Sequence, residues 1–122
     1  MALTSLDHIT VHCADLARSR AFYVDVLGMT DGARPAFNSP GAWLYLGGKP
    51  VVHLVAGVNK GDVKGSASLD HIAFDATDLD GTRKRLSTME IPFTEMGVPG
   101  GALYQVFLHD PDGIKVELNF RT

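Results

Sequence analysis

Three imidazoles and one carboxylate stand at matched places in this sequence. Residues 6–9 read LDHI and residues 69–72 read LDHI again, 63 positions apart, and the likeness continues without a gap. LDHITVHCADL (6–16) lies over LDHIAFDATDL (69–79). Further on, VVHLV (51–55) lies over IKVELN (114–119) with one residue of slippage. The repeat thus pairs His8 with His71 and His53 with Glu117. Those residue types supply three nitrogen donors and one oxygen donor. Such a set suits Zn, Ni, Fe, Mn or Co, and no thiolate is placed to force a closed zinc site. Strand parity turns His8, His71 and Glu117 away from the apolar residues around them, while the strand of His53 is apolar on both faces. His53 within VVHLV needs a partner, because an unpaired polar group buried among aliphatics costs a few kcal/mol.

The elements that must carry these residues follow from periodicity. Residues 6–13 alternate, with Ile9 and Val11 on one side and His8, Thr10 and His12 on the other, which is the pattern of a strand on a core. Asp15 caps an expected helix over about 16–27, with Leu16, Tyr23, Val26 and Leu27 as its apolar stripe and Gly28 as its stop. Strands are expected near 29–34, 42–46 and 51–56, with Gly47-Gly48 as the hairpin turn between the last two. The order then restarts: a strand over 69–76, a cap at Asp78, a helix over about 79–90 that Gly81 weakens, and strands near 91–96, 103–109 and 114–120. DPDG (110–113) makes the last turn. The expected fold is α+β, two βαβββ modules in one domain spanning 1–122. Module 1 covers about 3–57, a Gly/Ser-rich linker 58–68, and module 2 about 69–122.

Composition narrows the partners. A formal net charge of −3 over 122 residues gives no basic surface for nucleic acid or an anionic membrane. The apolar runs are too short to span a bilayer, and no signal peptide is legible at the start, so a cytoplasmic setting is expected. The single cysteine, Cys13, is expected as a small buried hydrophobe. No nucleophile elbow, dinucleotide fingerprint or P-loop is present. Parity places Trp43 and Tyr45 on the face of His53, and Gln105, Phe107 and His109 on the face of Glu117. Arg34 and Phe37 fall in a loop suited to the rim of a substrate pocket, and GVPGG (97–101) to a flap.

The stretches LDHITV…DLARSRAFYVDVLGM and FLHDPDGIKVELNF resemble the vicinal oxygen chelate superfamily over essentially the whole chain. That superfamily includes glyoxalase I, extradiol dioxygenases, methylmalonyl-CoA epimerase and the fosfomycin and bleomycin resistance proteins. The resemblance implies a cupped mixed sheet whose concave face holds one divalent metal, with His8, His53, His71 and Glu117 as ligands. Glyoxalase I often has a carboxylate where this chain has His53. The implied function is glyoxalase-I-like proton transfer, lyase or isomerase, on a small substrate bound through vicinal oxygens, with Glu117 as base. An extradiol dioxygenase with Fe(II) on His8, His71 and Glu117, and His53 as acid–base residue, is the alternative. A bleomycin-resistance-type binding protein without catalysis is a further one. A homodimer is expected, because each module exposes the edges of a short sheet and leaves apolar surface that a twofold partner can cover. In several members of the family each metal site takes two ligands from each chain.

Overall fold

The computed structural model describes residues 1, 5–57, 69–98 and 100–121; the expected linker, 58–68, lies outside them. The chain divides into two compact units, Met1–Val63 and Lys64–Thr122.

In the first unit β1 (Ile9–His12), β2 (Thr30–Gly32), β3 (Gly41–Leu46) and β4 (Lys49–Val55) form one sheet in the order β1-β4-β3-β2. β1 runs parallel to β4, and the other neighbours are antiparallel. The second unit repeats this with β5 (Ile72–Ala76), β6 (Thr94–Gly97), β7 (Leu103–His109) and β8 (Lys115–Arg121), ordered β5-β8-β7-β6. The expected pair of βαβββ modules is therefore present.

Alternation builds each core. Val11, Ala42, Leu44, Val52 and Leu54 are buried on one face of the first sheet, and Val106, Leu108, Val116, Leu118 and Phe120 are buried in the second. Cys13 is fully buried, as a small hydrophobe would be.

The first helix differs from expectation. α1 (Leu16–Ala21), capped by Asp15 accepting from the Arg18 amide, gives way to a π-helical turn over Phe22–Val26. Leu27 N–H reaches back five residues to the Phe22 carbonyl. The wider turn buries the adjacent pair Phe22 and Tyr23 together with Val26, whereas Leu16 remains partly exposed.

In the second unit α2 (Leu79–Thr88) starts at Asp78, whose side chain accepts from the Gly81 amide. A Cβ at Gly81 would stand 2.2 Å from the Asp78 carboxylate. The glycine that weakens the helix in isolation is what lets the cap close. Gly47 and Gly48 both take positive φ, 60° and 79°, in the expected hairpin turn. No helix among the described residues is long and apolar enough to cross a membrane.

Candidate metal centre

Both repeated histidines stand one residue before their strands, His8 ahead of β1 and His71 ahead of β5. The register is the same in each unit. Thr10, two residues past His8, pairs with His53, and Ala73, two past His71, pairs with Glu117. This resolves the one-residue slippage of the sequence repeat and makes His53 and Glu117 equivalent in their sheets.

Each repeated histidine is oriented by the aspartate before it. His8 Nδ1 lies 2.6 Å from Asp7 Oδ2, and His71 Nδ1 lies 2.6 Å from Asp70 Oδ2. A carboxylate only accepts, so Nδ1 carries the proton and Nε2 keeps its lone pair. The two side chains are also alike in exposure, 36% and 35%. The hydrogen bond to His8 holds the Asp7 carboxyl below its ordinary pKa, and that to His71, with Lys115 nearby, does the same for Asp70.

Glu117 is oriented as well. Asn119 Nδ2 donates to Glu117 Oε2 at 2.9 Å, and Gln105 Nε2 donates to Asn119 Oδ1 at 3.2 Å. Glu117 Oε1 then stands 3.5 Å from His71 Nε2. That separation is long for a hydrogen bond. It matches two donors that each lie about 2.0–2.2 Å from one shared ion. His8, His71 and Glu117 therefore each keep one free donor atom while the rest of the side chain is fixed, as outer-sphere partners do around metals. Imidazole nitrogen and carboxylate oxygen are donors that suit a divalent transition ion.

His53 is placed differently. Its Nε2 donates to the Pro50 carbonyl at 3.0 Å, which leaves the lone pair on Nδ1, the opposite tautomer to His8. Its ring is sandwiched: the His8 centroid lies 3.8 Å away at 11°, and that of Trp43 4.1 Å away at 14°. Burial, then the neighbouring His8, lowers the His53 pKa, so it is neutral at pH 7. Within neither unit do three His, Cys, Asp or Glu side chains gather among the described residues; the candidate donors come as one pair per unit.

The remaining candidate residues follow parity. Trp43 pairs with His53 across β3 and β4, and Tyr45 lies two residues on, on the same face. The Tyr45 ring covers Gly32, where a Cβ would meet it at 2.7 Å, and its hydroxyl donates to the Ala33 carbonyl at 2.6 Å. Arg34 sits over the Phe37 ring, 5.0 Å from its centroid, and Phe37 lies 6.3 Å from Trp43. In the second unit Gln105, Phe107 and His109 pair with Asn119, Glu117 and Lys115. Gln105 spends its amide on Asn119, Phe107 lies under Lys115 Nζ at 4.9 Å, and His109 is exposed at the strand end.

Asp7, Asp70 and Asn119 are the site residues that the sequence reading left out. The aspartates stood within the repeated tetrapeptide. Asn119 stood two residues from Glu117, on the same strand face.

Comparison with known proteins agrees with this architecture. "Glyoxylase I 4" of Arabidopsis thaliana is 32% identical over 123 residues, spanning 95% of this chain and 70% of that protein. Among solved structures, a putative glyoxalase family protein from Bacillus anthracis superposes with a TM-score of 0.80 at 20% identity, covering 100% of this chain and 98% of that one. The fosfomycin resistance protein FosX from Listeria monocytogenes does so with a TM-score of 0.80 at 19% identity, covering 99% and 96%. Residues 5–118 match the family model itself, and with two βαβββ units in the same strand order the chain belongs to the Glyoxalase/Bleomycin resistance protein/Dioxygenase superfamily.

Proposed function

We propose that this protein is a divalent-metal-dependent enzyme that moves a proton on a small substrate carrying two neighbouring oxygens, a glyoxalase-I-like lyase or isomerase. The observation that carries the proposal is the outer partner on each of three donors: Asp7 on His8, Asp70 on His71 and Asn119 on Glu117. His8 Nε2, His71 Nε2 and Glu117 Oε1 would hold the ion, which when bound supplies a Lewis acid for the vicinal oxygens. His53 joins as a fourth ligand only by turning out of its ring stack.

The chain's own groups then divide the work. The Asn119 bond occupies Glu117 Oε2 and leaves Oε1 as the oxygen that accepts a proton. His53, neutral with its lone pair on Nδ1, is a second acceptor. Trp43 and Tyr45 offer an apolar wall beside His53. Similarity to the Arabidopsis relative supports proton transfer as the chemistry.

A second reading has one observation in its favour. Two histidines and one carboxylate are also the donor set of Fe(II) oxygenases, and the clamped His53 beside them suits an acid–base role in ring cleavage. One experiment separates the readings. Metal-stripped protein is reloaded with Ni, Co, Zn, Mn or Fe(II), then assayed for solvent-deuterium uptake by a methylglyoxal–thiol hemithioacetal and for oxygen uptake with a catechol. Deuterium incorporation supports proton transfer; oxygen uptake with Fe(II) alone replaces it with ring cleavage.

The proposal includes a homodimer whose metal sites draw His8 from one chain and His71 with Glu117 from the other. A His8→Ala chain mixed with a His71→Ala chain tests this. Shared sites restore metal binding in the mixed dimer, at one site of the two. A mixture that binds no metal refutes sharing.

A further inference from the structure

Arg34 has no counter-charge among the described residues, whereas Arg20 of the same unit has one. Arg20 closes on Asp31 at 3.0 Å, and in the second unit Arg83, Lys115 and Arg121 each reach a carboxylate. Arg34 lies half-buried in the loop between β2 and β3, with no carboxylate among the described residues in ion-pair reach. Its hydrogen bond runs from Nη2 to the Ser39 carbonyl at 3.0 Å, and its Nε is buried with no partner.

The guanidinium is nevertheless held in place. It stacks on Phe37, and a Cβ at Gly41 would come within 2.7 Å of Nη2, so it rests against bare backbone. A fixed, partly desolvated cation with unused donors gains from an arriving anion, since the cost of orienting it has already been met within the fold. The rings beside it continue through Phe37, Trp43 and His53 to His8 within one unit. Cation and candidate ligand therefore stand at two ends of one row of rings, and Phe37 remains 55% exposed.

We propose that Arg34 anchors a carboxylate of the substrate, whose apolar or aryl body lies against Phe37 and Trp43. A singly charged group is favoured over a phosphonate dianion because Arg34 is the only Lys or Arg between Gly28 and Gly48. The inference deepens the proposed function and rests on it only for what happens at the substrate's other end.

The test uses metal-free protein and its single tryptophan, Trp43, as the fluorescent reporter. Phenylacetate and its neutral counterpart phenylacetamide are titrated in turn. The acid is expected to change Trp43 emission saturably and to bind at least about tenfold more tightly than the amide. Arg34→Gln should remove that preference, Arg34→Lys should keep part of it, and Phe37→Ala should weaken both probes. Equal binding of acid and amide, binding of neither, or an unchanged preference in Arg34→Gln overturns the anchor. Calorimetric metal titration of the same proteins is expected to be unaffected by Arg34→Gln. Preference for the acid in a wild-type protein that takes up no metal would overturn the metal-enzyme reading and leave the anchor standing.

Discussion

His53 lies flat against His8, ring centroids 3.8 Å apart and planes 11° from parallel. An imidazole offers its lone pair in the plane of its own ring, so two stacked, near-parallel rings do not converge on one ion. In this arrangement His8 is free to bind and His53 is clamped. His53→Gln should therefore lower metal affinity by less than about tenfold, far less than removal of a donor with a free atom. Calorimetric titration of the stripped proteins measures it. A loss equal to that of His71→Ala would mean that the ring turns out of the stack to become a ligand.

The Asp70–His71 bond should matter to the metal although Asp70 never touches it. Asp70→Asn removes the charge that fixes the His71 tautomer, and metal affinity should fall about 10–100-fold. Asp7→Asn should act on His8 in the same way. Nitrogen-15 NMR of the imidazoles provides a readout apart from activity: the variants should show mixed tautomers where wild type shows the proton on Nδ1. Unchanged affinity and an unchanged tautomer would remove the aspartates from the site.

Acid should weaken the fold partly through His53. Its folded pKa lies below the ordinary 6.5, with burial the first cause and His8 the second. As pH falls through about 6.5 the unfolded chain takes up a proton that folded His53 refuses, so stability declines toward acid and recovers above. Denaturant midpoints between about pH 5 and 7 should fall less steeply with acid in His53→Gln than in wild type. Identical slopes would show that His53 titrates normally in the folded protein.

The two helices end alike but with different residues. The first is followed by Gly28 at φ 78°, the second by Glu90 at φ 56°. Glu90 carries the left-handed turn that lets the Ile91 amide reach the Leu86 carbonyl at 2.9 Å. A side chain is disfavoured there, so Glu90→Gly should stabilise the protein by about 0.5–1 kcal/mol after the added freedom of the unfolded chain is counted. A lower denaturant midpoint would contradict this.

Much of this organisation is legible from residues alone because strand parity is rigid. Once His53 and Glu117 are placed on strands, Trp43 and Gln105 must share their faces, and the observed registers agree. The aspartates escape that logic. Adjacent residues in a strand point to opposite faces, but Asp7-His8 and Asp70-His71 precede their strands, where neighbouring side chains turn toward each other. The stack on His53 depends on ring torsions, which no spacing reveals. The π-helical turn escapes because the buried residues Ser19, Phe22, Tyr23 and Val26 still follow the i, i+3, i+4, i+7 spacing of an ordinary helix.

Metal analysis of protein purified without added metal, and again after stripping and reloading, tests the central claim most directly. One divalent transition ion is expected for each set of His8, His71 and Glu117 in the wild type, and no tight binding in His71→Ala. The same metal content in His71→Ala as in wild type, with the variant folded, would contradict it.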